Sequence, residues 1–216
     1  MYQCVLFDLD GTLLDSLADL AHSMNAVLGR LGLPQHPVEA YRYFVGDGME
    51  TLARRVLPPD LLDHAMAQQT VTAMRQEYAG RWAEQTRPYP GIPELLDGLS
   101  NRGIGIAILS NKPDDFTRKV VAVLLGAWQF RVVRGVRPDG IKKPDPTGAL
   151  AIADELGLSP ADFLYLGDTD TDMLTANRAG MYAVGARWGF RTSEELKKNG
   201  AKAMIARPQE LLEFFR

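Results

Sequence analysis

Two aspartates close the first apolar run of the chain: Cys4-Val5-Leu6-Phe7-Asp8-Leu9-Asp10, followed by Gly11-Thr12-Leu13-Leu14-Asp15-Ser16. Aspartate is a poor strand residue, so two of them at the end of a buried strand need a reason. Side chains at i and i+2 of an extended segment point the same way, which would crowd Asp8 and Asp10 into one site. Two close anions are costly unless a cation or a shared proton relieves them. A divalent metal supplies that relief, and it gives a phosphate ester a place to bind.

The remaining polar groups of interest recur at the ends of later apolar runs. Ser110 and Asn111 follow Gly105-Ile106-Ala107-Ile108-Leu109. Lys142-Lys143-Pro144-Asp145-Pro146 comes after a weaker run at Phe130-Arg131-Val132-Val133. Gly167-Asp168-Thr169-Asp170-Thr171-Asp172 ends Phe163-Leu164-Tyr165-Leu166. Ligands of an open parallel sheet bind beyond the carboxyl ends of its strands. Taken singly, a Ser-Asn pair reads as a turn, Lys-Pro as a solvated loop and an Asp-rich turn as a helix cap. Together, at one edge of one sheet, they form a coherent set of acids, a hydroxyl and a cation.

The elements that must position these residues alternate. Strands are expected at 105–110, 130–133, 163–168, 181–185 and 203–205. Helices are expected at 93–101, 114–125, 146–156, 170–179 and 208–215, with Gly103, Gly126, Gly157 and Gly180 where helices stop. This rhythm predicts an α/β fold, a doubly wound and mostly parallel sheet with helices on both faces. Residues 16–82 break it. They hold no convincing strand but three helical stretches, at 18–31, at 49–57 and from Pro58 towards Tyr78. They read as a small α-helical cap inserted into a core formed by residues 1–15 and 83–216, with the proline-rich stretch 83–93 as the return hinge.

The whole pattern resembles the haloacid dehalogenase-like superfamily of aspartate-nucleophile phosphatases. Asp8-Leu9-Asp10-Gly11-Thr12 looks like its first motif, Ser110 its second, Lys143 its third and Gly167-Asp168-Thr169-Asp170-Thr171-Asp172 its fourth. Lys142 competes for the third role, but the Lys-Pro-x-Pro frame favours Lys143. The insertion of a cap between the first two motifs agrees. The resemblance implies that Asp8 is the nucleophile and forms an aspartyl phosphate. Asp10 is implied as general acid and then general base, Ser110 as a phosphoryl contact, and Lys143 as the steadying cation. A magnesium ion is implied on Asp8, Asp10 (through its backbone carbonyl) and Asp168, with Asp172 as a second acidic position. Gly11, Thr12 and Asn111 are expected near the substrate, with backbone N–H groups after Asp8 cradling phosphate oxygens.

Val45-Gly46-Asp47-Gly48-Met49-Glu50 resembles a cap segment of phosphoglycolate phosphatases, which makes Gly46 and Gly48 candidate substrate contacts. Asp172 to Gly180 and Arg187-Trp188-Gly189-Phe190 resemble the same branch. The substrate implied is a small phosphorylated metabolite such as phosphoglycolate, whose carboxylate Lys112, Arg54 or Arg187 could bind. A phosphomutase, pyrophosphatase or nucleotidase of the same superfamily is the alternative, and a non-catalytic binding protein on the same fold is the alternative of another class.

Bulk properties bound the rest. The chain has 216 residues, 46% hydrophobic content and a net charge of −3, enough for one good core with a smaller appended domain. No basic stripe points to nucleic acid. No apolar run approaches the ~20 residues of a membrane span, and Asp8 and Asp10 interrupt the first apolar run too early for a signal peptide. The single cysteine, Cys4, excludes an intrachain disulfide and reads as packing in a reducing, cytoplasmic setting. His22, His36 and His64 have no mutual metal spacing. Oligomeric state is not legible.

Overall fold

The computed structural model of the protein describes residues 2–137 and 140–215. The chain divides into two units, one of Met1–Asp15 with Pro88–Arg216 and one of Ser16–Arg87.

The first unit is built on a six-stranded parallel sheet: β1 (Cys4–Phe7), β4 (Gly105–Pro113), β5 (Val132–Val136), β6 (Phe163–Gly167), β7 (Tyr182–Ala186) and β8 (Ala203–Ile205). Their order is β5-β4-β1-β6-β7-β8. The two-residue strands β2 (Leu14–Asp15) and β3 (Arg87–Pro88) lie in sequence where the chain leaves and re-enters this unit. β1 is central, pairing Phe7 with Ile108 of β4 on one side and with Leu166 of β6 on the other. The chain winds outwards from β1 through β4 and β5, then returns and winds the other way through β6, β7 and β8. The order therefore reverses beside β1, and such a switch point leaves a crevice at the carboxyl ends of the strands.

Both faces of the sheet are apolar because both are covered. Cys4, Leu6, Ala107, Leu109, Phe163 and Tyr165 form one core with side chains of α7 (Thr147–Glu155) and α8 (Asp170–Ala179). The alternate residues Val5, Phe7, Ile106, Ile108, Leu164 and Leu166 are equally buried. Hence β1 reads as an unbroken apolar run with no polar alternation. Cys4 is part of this packing, and burial pushes its thiol up to about 12.

α8 shows why the fourth acidic stretch turns where it does. Thr169 and Asp172 form a capping box, each side chain bonding the other's backbone N–H. Gly180 ends the helix with φ of 75°, a left-handed conformation that suits glycine. At the sheet edge the strand expected at 130–133 lies at Val132–Val136. Arg131, just before it, donates its N–H to Ile106 O at 2.8 Å. The expected final helix, Pro208–Phe215, winds as a 3-10 helix.

The second unit is helical, with α1 (Leu17–Arg30), α2 (Tyr41–Phe44), α3 (Met49–Val56) and α4 (His64–Arg81). The helix expected from Pro58 starts later. Pro59–Leu61 is a 3-10 turn, and α4 opens at Asp63, whose carboxylate accepts the Met66 N–H at 2.7 Å. A side-chain cap of this kind satisfies an otherwise orphaned donor, which the prolines cannot do. His36 bonds Val56 O at 2.9 Å and packs on Tyr41 and Phe44. Residues 83–87, expected in the return hinge with the core, belong to the helical unit. Their anchor is Asp19 of α1, 1% exposed, whose carboxylate accepts the N–H groups of Gln85 and Thr86 and the Thr86 hydroxyl at 2.7–3.0 Å.

Replacing Asp19 by Ala leaves these donors without a charged acceptor. The expected loss is about 2–4 kcal/mol of unfolding free energy, in the range of charged hydrogen bonds left unmade. Urea denaturation measures it, and a loss below about 0.5 kcal/mol would remove Asp19 from the anchoring role.

Candidate active site

The chain leaves β1 at Phe7 and turns at once. Asp8 continues the ladder by donating its N–H to Leu166 O at 2.9 Å, and then the N–H groups of Leu13 and Leu14 both return to Leu9 O at 3.0 Å. Gly11 makes the turn with φ of 93°. A Cβ there would meet Asp168 Oδ2 at 2.3 Å and Phe190 at 2.8 Å, so both the backbone angle and the available space call for glycine.

Asp8 and Asp10, which precede this turn, meet different partners. Asp8, Asp168 and Asp172 form a buried cluster whose oxygens lie within 4.8 Å of one another. Asp10 faces Lys112, whose Nζ lies 3.0 Å from both of its carboxylate oxygens.

Lys143 is the cation of the acidic cluster. Its Nζ lies 2.6 Å from Asp8 Oδ1 and 2.7 Å from Asp172 Oδ1. The neighbouring Lys142 is exposed, whereas Lys143 is 4% exposed, which settles which of the two reaches the acids. Asn111 holds Lys143 in place. Its amide NH2 donates to Lys143 O at 3.1 Å and its Oδ1 accepts the Lys143 N–H at 2.8 Å. The Asn111 amide is thus engaged with the backbone of the lysine.

Each acid has different neighbours. Asp172 Oδ2 accepts from the N–H groups of Asp168 and Thr169 and from the Thr169 hydroxyl at 2.7–3.2 Å. Its Oδ1 faces Lys143 and the Tyr165 hydroxyl. Asp168 accepts the Thr12 hydroxyl on Oδ1 and the Phe190 N–H on Oδ2, both at 2.8 Å. Thr12 therefore serves Asp168 with its side chain, while its carbonyl accepts the Trp188 indole N–H at 3.0 Å. Gly189 lets this loop come close, since a Cβ there would meet Asp168 Cβ at 2.2 Å. Ser110 sits buried on β4, its Oγ accepting the Lys112 N–H at 3.2 Å.

The electrostatics follow from burial. Desolvation, then Asp172, pushes the Asp8 carboxyl well above the usual carboxylate range; Lys143 pulls it back without offsetting this. Asp168 rises to about 7, through burial first and then Asp172, against the hydrogen bonds from Phe190 and Thr12. Burial pulls Lys143 down, but Asp172 and Asp8 outweigh it and lift the ammonium well above its ordinary range. Ionising all three carboxylates against one ammonium would leave two negative charges in excess, which burial resists and a bound cation would relieve. Hard oxygen donors with that excess fit a divalent cation of the magnesium type.

Among the residues considered for a substrate carboxylate, Arg54 pairs with Glu50 in the helical unit at 3.2 Å and Arg187 Nε donates to Ser193 Oγ at 3.1 Å. Of these three, Lys112 is seen against an acid of the first motif, Asp10. Gly46 and Gly48 lie in the helical unit, with φ of 119° and 87°, in the turn ahead of α3. Tyr165 against Lys143 and Asp172, and the pairing of Lys112 with Asp10, were not anticipated. Tyr165 carried no signal beyond its place in an apolar strand.

Relatives match the chain over most of its length. Residues 5–186 match the family model described as haloacid dehalogenase-like hydrolase. A phosphoglycolate phosphatase of Aquifex aeolicus is 32% identical over 208 residues, covering 96% of this chain and 94% of that protein. A phosphoglycolate phosphatase of Pseudomonas putida is 33% identical over 205 residues, covering 93% of this chain and 75% of that protein. A crystal structure from Lactobacillus delbrueckii subsp. bulgaricus superposes with a TM-score of 0.90 at 27% identity, covering 99% of this chain and 98% of the other. With its acids gathered at the end of β1 and a family match spanning most of its length, the chain belongs to the haloacid dehalogenase-like hydrolases.

Proposed function

We propose that the protein is a magnesium-dependent phosphatase that hydrolyses a small phosphate monoester through an aspartyl phosphate on Asp8, with phosphoglycolate as its substrate. The observation that carries this reading is the contact of Lys143 with Asp8 at 2.6 Å inside a buried acidic cluster. A lysine there aligns the nucleophile and faces the charge of an incoming phosphoryl group. The substrate assignment rests on the relatives named above, at 32% and 33% identity over nearly the whole chain.

The steps follow from the residue types. An oxygen of Asp8 attacks phosphorus as the bond to the leaving oxygen breaks, and the electron pair of that bond leaves with the oxygen. The Asp10 carboxyl protonates it, giving the free alcohol and an aspartyl phosphate. Asp10, now a carboxylate, takes a proton from water as the water oxygen attacks phosphorus. The bonding pair returns to Asp8, inorganic phosphate departs, and both acids are restored. Ser110 contacts a phosphoryl oxygen, and backbone N–H groups of the turn through Gly11 and Thr12 receive others. Asp8, Asp168 and the backbone carbonyl of Asp10 would hold magnesium, which when bound supplies positive charge to the phosphoryl oxygens. Asp172, already facing several donors, positions Lys143, and Asn111 positions the same lysine from its backbone side.

A phosphate-release screen over small phosphorylated metabolites, p-nitrophenyl phosphate included, tests the reaction and the substrate. Phosphoglycolate is expected among the best substrates; a place among the poorest rejects it. Asp8→Asn is expected to lower kcat by about a thousandfold or more, as nucleophile removals do, and residual activity above about a tenth of wild type contradicts the nucleophile assignment. EDTA is expected to abolish turnover and magnesium to restore it; activity indifferent to EDTA excludes the metal. Gly189→Ala must displace Asp168. It is expected to raise the magnesium concentration for half-maximal activity about 10-fold or more, as changes around a metal ligand do. An unchanged magnesium curve in a folded variant removes Asp168 from the ligand set.

A further inference from the structure

β4 runs on past the end of β1. Phe7, the last residue of β1, pairs with Ile108, while β4 continues to Pro113. The added length carries Lys112 beyond the end of β1, two residues after Ser110, in the stretch between Leu109 and Pro113 where the pairing of β4 with β5 shifts register. Its side chain is 3% exposed, and lysine is almost never buried to that degree without a partner. The Asp10 carboxylate, bonded through both oxygens at 3.0 Å, meets that need. Equal contact with both oxygens limits rotation of the carboxylate as well as its displacement. The lysine is itself held by its backbone. Its N–H donates to Ser110 Oγ and its carbonyl accepts the Thr117 hydroxyl, each at 3.2 Å.

We propose that Lys112 is a positioning residue for Asp10, holding its carboxyl group at the angle and distance from which, when protonated, it delivers the proton to the leaving oxygen. The proposal rests on the reading of Asp10 as the group that gives and then takes the proton. Lys143 serves the nucleophile, and Lys112 does the corresponding work for the proton donor. The bidentate pairing also bears on substrate recognition. A lysine engaged by Asp10 is in place before any substrate carboxylate arrives, so its effect extends to esters that have no carboxylate.

Leaving-group chemistry separates the possibilities. A p-nitrophenolate leaves without a proton, whereas an alkoxide needs one. Lys112→Met is measured on p-nitrophenyl phosphate, ethyl phosphate and phosphoglycolate, with kcat/KM reporting formation of the phosphoenzyme. The expected result is a loss of about 30-fold or more on both alkyl esters, as general-acid contributions run, and less than about threefold on the aryl ester. Equal losses on all three substrates, or no loss on ethyl phosphate, overturn the proposal. A loss confined to phosphoglycolate overturns it too, and makes Lys112 a reader of the substrate carboxylate. If Lys112→Met does not accumulate as a folded protein, Lys112→Gln is measured on the same esters by the same criteria. Failure of the underlying reading looks different. A wild-type enzyme inactive on all three esters, or an active Asp8→Asn variant, overturns the site assignment and this proposal together. A dead Asp8→Asn beside an unselective Lys112→Met overturns the Lys112 proposal alone.

Discussion

Buried like charges govern this site. Asp8, Asp168 and Asp172 meet at the end of the central strand, with Lys143 as the cation among them. Removing one partner of a buried ion pair costs about 3–5 kcal/mol, because the other is left uncompensated. Much of the surrounding architecture keeps that lysine in register. β4 carries Asn111 to its backbone, the capping box of α8 aims Asp172 at its ammonium, and β6 brings up the Tyr165 hydroxyl. The switch in strand order beside β1 lets segments more than a hundred residues apart in sequence converge there; Lys143 and Asp8 are 135 residues apart.

The acids are alike in chemistry and differ in surroundings. Asp172 lies wholly buried among donors and supports the lysine. Asp168 is steadied by one hydroxyl and one backbone N–H, both brought close by glycines that leave no room for a Cβ. Asp8 is pushed towards its protonated form by burial and by its acidic neighbours, a cost that a bound cation offsets. Asp10 has a lysine of its own, Lys112. Carboxylates separated in this way can divide nucleophilic, ligating, supporting and proton-transfer work without exchanging roles.

The α/β architecture was legible because it depends on period and punctuation. Continuous apolar runs mark strands buried on both faces, and the acids at their ends stand out against them. The family resemblance brought together Asp8, Asp168, Asp172 and Lys143, which do meet in space. What stayed hidden depends on side-chain direction after the regular element stops. The pairing of Asp10 with Lys112 was not announced by the spacing of either residue. The Ser-Asn pair gave no sign that the Asn111 amide complements the backbone of a residue 32 positions away. Likewise Asp63 opens α4 in place of the prolines before it, and Asp19 draws residues 83–87 into the helical unit. Each of these is a hydrogen bond across sequence or at a helix end, and composition carries no trace of which donor it will meet.

The central claim is that the phosphoryl group passes through Asp8. Rapid acid quench during turnover, borohydride reduction and peptide mass spectrometry locate that group directly. The reduced position, formerly the phosphorylated carboxyl, is expected to fall on Asp8. A covalent label at another residue, or turnover with no labelled peptide under conditions that trap an acyl phosphate, would contradict it.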